Sequence, residues 1–464
     1  MSIRRIYPIA ALAALTFLWE TVRQPAHGQV VPPAAATQMA VRPARDIPPG
    51  FDFPADRDRL QAAACDVRAM RLHGWRLFAG LTQPAEEGIP AFSTWYSKRQ
   101  TLDMESPAFP ALPFSLEPAQ QLVSFRDGIP NSPPLVSVLF NRAAFEFIRF
   151  QRLHDKNNLK EMWNQQMMDV PEFPLDSVVI KAVWWPIRKN GRTVLPVWTG
   201  EGTRPIDCGV SGDMHPCHQG NDYSTWPQLV AIEPGGDHRP SYGTTEIDYY
   251  DVSTNVQTPS TAPTRRYSNV QVVSLDRFYY VPLSASDVSA YGARLSNFAN
   301  LMHQIYDVRI TTENLEEYLQ GMILVGMHVA TKELKDWFWC TFWWHVDPGS
   351  GPYAADRSDQ VRGVWRHFRM DVVTDREAPD RGPMVAYNPW LEGAFANGLI
   401  SNCKMCHQRA AFRPDYSFGR ESHTVFRSPL RLDDPYYTGG SNPRNRNMRL
   451  DYLWSLTDIR GAGR

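Results

Sequence analysis

Cys403-Lys404-Met405-Cys406-His407 is the densest grouping of reactive side chains in the sequence. Two thiols three residues apart, on one helical turn, reach the same side of a planar group. An imidazole immediately after them lies under that plane. C-x-x-C-H is the pattern that attaches a c-type haem: each thiol adds to a vinyl group to form a thioether, and the imidazole ligates the iron. Three other chemistries compete. A structural zinc site wants four ligands, and no second C-x-x-C or H-x-x-x-H pair supplies them. A thioredoxin-like dithiol wants a βαβ context and has no use for the histidine. A disulfide across so short a loop is the third.

Other residues could complete or accompany the site. The distal side of an iron held by His407 could take Met448, His328 or His345, with His367 and His423 behind them, or stay open. Two strong protein ligands suit electron transfer, whereas an open position admits peroxide, oxygen or another small ligand. Met448 sits in Arg444-Asn-Arg-Asn-Met-Arg, ahead of Leu450, Leu453, Trp454 and Leu456, which read as a terminal helix. His328 lies in the apolar run Met322–Ala330, and His345 ends Trp337–His345. Cys208 and Cys217 flank a Gly/Pro loop and read first as a disulfide. With His215 and His218 they could also form a metal site, or a second haem site of stretched spacing. Cys65 and Cys340 either pair, or Cys340 is simply buried among aromatics.

The stretch from Asn388 to His407 resembles the first helix and attachment site of a c-type cytochrome. As a whole the chain resembles uncharacterised bacterial secreted cytochrome c-like proteins that place a single C-x-x-C-H after an aromatic-rich body. The motif itself covers five residues, and the similar architecture covers at most the last 80 or so. The resemblance implies one covalently bound haem c, with Cys403 and Cys406 as anchors and His407 as proximal ligand. It implies electron transfer to or from a redox partner protein. A haem enzyme, peroxidase or oxygenase, acting on a small molecule in a pocket of the body is the alternative, and a ligand sensor is the third reading.

The rest of the sequence sets the context. The 464 residues carry 48 basic and 49 acidic side chains, 43% hydrophobic and 21% charged residues, a composition that excludes disorder and a membrane-integral chain. Near-zero net charge excludes a whole-chain binder of nucleic acid. Arg4 and Arg5 precede an apolar run from Ile6 to Trp19, and small residues Ala26 and Gly28 follow, so residues 1–28 are expected to be a cleaved signal peptide. Export to the periplasm or beyond permits disulfides and is where c-type haem is attached. No transmembrane segment is expected once the signal is removed; Met322–Ala330 is too short to span.

Residues 29–58, rich in Pro and Ala, read as a linker without a core of its own. Residues 59–380 read as a strand-rich α+β body and residues 381–464 as a mainly helical, haem-bearing cytochrome c-like segment. Strands are expected at Val178–Trp185, Val194–Trp198, Gln228–Ile232, Met322–Thr331 and Trp337–Val346. Helices are expected after Asn141, over Asp287–Ile305, and from Asn388-Pro389, where Asn caps and Pro opens the first turn. Trp337–His345 holds four of the 15 Trp and is apolar on both strand faces, so it belongs in a core or against the haem. Residues 401–464 carry 11 basic and 6 acidic side chains, a surplus that suits haem propionates or an acidic partner.

Overall fold

The computed structural model describes residues 44–85, 89–102, 117–118, 135–200, 226, 228–234, 243–250, 264–285, 287–288, 314–350, 353–374, 377–378, 382–383, 386–392, 402–415 and 430–458. The expected signal peptide, the Cys208–His218 loop, His423 and nearly all of the expected helix Asp287–Ile305 lie outside these residues. Val41–Arg464 forms one compact unit of mixed α and β structure.

The labelled elements are α1 (Arg57–Ala62), α2 (Val67–Leu81), β1 (Leu135–Phe140), α3 (Arg142–Phe150), β2 (Val178–Arg188), β3 (Leu319–Thr331), β4 (Phe338–Trp344), β5 (Phe368–Val372), α4 (Pro389–Glu392) and α5 (Cys403–His407). The main sheet runs Tyr96–Ser97, β1, β2, β3, β4, β5, every neighbour antiparallel. A second sheet orders Thr193–Val197, Gln228–Glu233, Thr264–Ser274 and Thr244–Tyr250, with a parallel pair in its middle.

The sheet's strands are β-branched and aromatic because both faces are covered. On one face, Ile180, Ala182, Met327, Val329, Cys340, Phe342 and Met370 join α2 in the larger core. Phe342 stacks on Phe78 at 4.1 Å. Gly74 allows this close approach, since a Cβ there would meet Met370 Cε at 2.9 Å. On the other face, Val179, Ala330, Trp339 and Val373 join α3 and residues of the C-terminal stretch, among them Cys403, Phe412, Met448 and Leu450, in a second core. The body and the C-terminal stretch therefore share one interior.

Local expectations meet the structure as follows. Asn141 caps α3, its Oδ1 accepting from Ala144 N at 3.1 Å. Strand β2 runs three residues past Trp185, and the smaller-sheet strands fall where expected. The paired strands Met322–Thr331 and Trp337–Val346 form an antiparallel ladder, but Trp337 stands outside β4 with φ 62°. It turns the chain while its indole donates to Asp451. Among the described residues no α-helix follows Met448: Met448–Arg449 is a strand paired with Ala411–Phe412. Left-handed Asp451 (φ 45°) and Tyr452 (φ 68°) then break the chain before a 3-10 turn at Trp454–Asp458, because a helix cannot continue through two such residues. Of the expected linker, residues 44–58 are tied into the body instead. Ala44, Phe51 and Ala55 are buried, and Ala55 N donates to the buried Glu333 carboxylate at 2.6 Å. Apolar contact and a satisfied carboxylate fix what Pro/Ala content alone suggested would hang free. Among the described residues, no helix is long and apolar enough to cross a membrane.

Candidate functional site

Two short helical elements bring the reactive residues to the sheet. Asn388 Oδ1 accepts from Trp390 N (3.0 Å) and Leu391 N (3.3 Å), which starts α4. Its Nδ2 donates to Thr341 Oγ1 (2.7 Å) and Phe342 O (2.9 Å), which pins α4 onto β4. Helix α4 lies close over β3 at Gly326, where a Cβ would meet Trp390 Cβ at 3.2 Å. Asn402 Oδ1 accepts from Met405 N at 2.8 Å and caps α5. Tyr437 and Tyr436 donate their hydroxyls to the carbonyls of Gln408 and Arg409 just beyond it. These bonds hold the Cys403–His407 turn from both ends.

His407 is held in one tautomer and one orientation. Its Nδ1 lies 2.8 Å from Tyr452 O. A carbonyl only accepts, so Nδ1 carries the hydrogen and Nε2 keeps its lone pair. Burial pushes the imidazole down to about 3, with nearby His328 and Lys181 acting the same way against the Tyr452 carbonyl. The ring is therefore neutral, as a ligand must be. The Trp339 ring packs 4.5 Å from it. Cys403 and Cys406 are free thiols, so the disulfide alternative does not describe this state. Burial pushes Cys406 up to about 11 and Cys403 well up, and the Glu392 carboxylate pushes both the same way.

Beneath the turn, the register of the sheet lines up one polar residue per strand. Lys181 of β2 faces His328 of β3, His328 faces Thr341 of β4, and Thr341 faces Asp371 of β5. His328 Nδ1 pairs with Thr341 Oγ1 at 2.7 Å, and His328 Nε2 pairs with Glu392 Oε1 of α4. The other Glu392 oxygen accepts from Asn388 N. Asp371 accepts from Val372 N (2.9 Å) and Tyr387 N (3.2 Å), and burial pushes it up to about 7. A ligand nitrogen of His328, a Glu392 oxygen and Cys403 Sγ all lie within 4.8 Å of one another.

The structure separates the distal candidates. His328 stands beside Cys403, with both ring nitrogens engaged. His345 also uses both nitrogens: Nε2 donates to Trp198 O at 3.0 Å and Nδ1 accepts from Asp347 N at 2.9 Å. Burial and Arg369 push it down to about 4, the signature of a structural histidine. Met448 is fully buried in the core that contains Cys403. His367 is pushed down by burial and by Arg277 and Arg357. Cys65 is exposed and Cys340 buried, both as free thiols, so they do not pair.

The sequence nominated Cys403, Cys406, His407 and His328; it did not nominate Glu392, Thr341, Lys181 or Asp371, which the fold brings beside them. A signal was present. Strands β2 to β5 each carry a polar residue on the same face, Lys181, His328, Thr341 and Asp371, and these four pair across the sheet in the observed register. The residues of the turn fit a covalent haem: two free thiols three apart, and a neutral imidazole whose Nε2 is not claimed by the Tyr452 carbonyl. No protein-family model matches this chain, and no curated protein or solved structure matches it either.

Proposed function

We propose that this chain is an exported, mono-haem c-type cytochrome that transfers electrons in the periplasm or outside the cell, with residues 381–464 as its haem-bearing segment. The observation that carries the reading is the Tyr452 carbonyl holding His407 Nδ1, on the same helical turn that carries both thiols. Cys403 and Cys406 would hold the group through thioethers, each thiol supplying the sulfur and the hydrogen that a vinyl group takes up. His407 Nε2 is the proximal ligand. The bound haem supplies an iron that cycles between two oxidation states and so carries one electron. The protein's part is positional. Tyr452 fixes the tautomer and ring direction of His407, and Trp339 with the second core excludes water from its flank. Met448, in the same core as Cys403, would be the second iron ligand of this reading.

A specific observation favours a haem enzyme as second reading. His345 has both ring nitrogens bonded to backbone, and His328 Nε2 is turned to Glu392, which suits an open distal position. A cavity of about 130 Å³ lined by Trp337, Trp339 and Lys404 backs onto the Trp339 ring that packs against His407, and has room for one small molecule.

Mass and absorption of the matured chain test both readings. A mass increase of one haem is expected, lost in a Cys403→Ala, Cys406→Ala double variant, and His407→Ala is expected to retain the mass but change the spectrum. A colourless product at the bare chain's mass would sink both. A reduced spectrum unmoved by carbon monoxide selects electron transfer; prompt binding selects the enzyme or a sensor.

A further inference from the structure

We propose that, before any haem is attached, the chain binds one divalent transition metal ion, Zn²⁺ or Co²⁺, through His328 Nε2, the Glu392 carboxylate and Cys403 Sγ. The three donors come from three elements, β3, α4 and α5, and their ligand atoms already lie within 4.8 Å of one another. Bonds of about 2.0 Å to nitrogen and oxygen and about 2.3 Å to sulfur put tetrahedral ligands roughly 3.5 Å apart, so movements of about 1 Å close the site. Imidazole, carboxylate and thiolate together suit a borderline ion such as zinc.

The surrounding shell supports this assignment independently of the distances. Thr341 Oγ1 holds His328 Nδ1 at 2.7 Å, which directs Nε2 at Glu392. Asn388 holds Thr341 by its side chain and Glu392 by its backbone N–H, so one residue braces two of the three donors. Such outer partners fix the orientation of metal-binding side chains. In the metal-free state His328 and Glu392 face each other across a hydrogen bond. The ion takes the place of that bond, the proton held between His328 Nε2 and Glu392 and the Cys403 S–H proton both leave to solvent, and a metal–thiolate bond forms. No oxidant or reductant is involved.

This site goes beyond the haem reading and does not rest on it. The two compete for one atom: a thioether at Cys403 has no thiolate charge to offer, so metal and covalent haem exclude each other there.

The test uses the full chain made without haem attachment and titrated with Co²⁺. One equivalent is expected to give a thiolate-to-cobalt band in the near ultraviolet. Cys403→Ser is expected to lose that band, and His328→Ala and Glu392→Gln each to weaken binding at least roughly tenfold. Cys406→Ser and His407→Ala are expected to bind as the parent does, and all five variants are compared at matched circular dichroism. The opposite pattern overturns the proposal: binding lost with Cys406 or His407 but indifferent to His328 and Glu392 means that the C-x-x-C-H turn chelates the ion alone. Absence of the band in the folded parent chain overturns it too. Haem attachment is read separately by mass, so either reading can fail while the other stands.

Discussion

The two faces of the main sheet are built from the same strands and do different work. Toward α2, the rows flanking that of His328 are apolar from β2 to β5, and Phe342 packs between Phe78 and Trp75. Toward the C-terminal stretch, the row Lys181, His328, Thr341, Asp371 crosses an otherwise apolar surface, and the Cys403–His407 turn sits over it. Each face admits its helix through one glycine, Gly74 in α2 and Gly326 in β3 under α4. Because strand side chains alternate, one residue's step along β4, from Thr341 to Phe342, crosses from one role to the other.

The comparison breaks most visibly at Phe342. Phe342→Ala is expected to cost about 3–5 kcal/mol in a urea melt, by leaving a cavity against Phe78 and Trp75, while the folded fraction keeps the cobalt band and haem attachment. Loss of the site in chains that remain folded would show that the faces are not separable. Next in size is Asp371→Asn. The Asp371 carboxyl is raised in the folded chain from its ordinary 3.8 to about 7, so its neutral form stabilises fully below pH 4. That contribution is lost as pH rises to 7, by as much as about 4 kcal/mol. The asparagine variant should lose less stability than the parent between pH 5 and pH 8, and equal slopes would remove Asp371 from the account. Thr341→Val should cost about 1–3 kcal/mol by stranding His328 Nδ1 and Asn388 Nδ2, and unlike Phe342→Ala it should weaken cobalt binding in the folded chain. Smallest is Gly326→Ala. The new Cβ presses on Trp390 and Asn388, so α4 shifts by a few tenths of an ångström at a cost of about 1 kcal/mol. Cobalt affinity should fall further than stability does, because Glu392 moves with the helix.

Much of this was legible before the fold. The cap at Asn141, the start of α4 at Asn388, the strand blocks and the reactive turn all follow from local rules, in which a residue's neighbours in sequence are its neighbours in space. The misreadings were non-local. Residues 44–58 were expected to be free of the core, because their binding partner Glu333 lies 278 residues from Ala55. The expected helix after Met448 is interrupted at Asp451, whose carboxylate answers to Lys332 and Trp337 rather than to its own segment.

By itself the sequence determined which atoms are available for chemistry: two thiols and an imidazole at fixed spacing on one turn, and a few polar residues scattered through the apolar strands. Only the tertiary structure decided which of these meet. Strand register is set by packing across the sheet, and it alone places Lys181, His328, Thr341 and Asp371, spread over 191 positions of sequence, in one row beneath Cys403. Side-chain hydrogen bonds then settle the roles, since a histidine with both nitrogens engaged, such as His345, and one with Nε2 left unclaimed by its carbonyl partner, such as His407, are the same letter in the sequence.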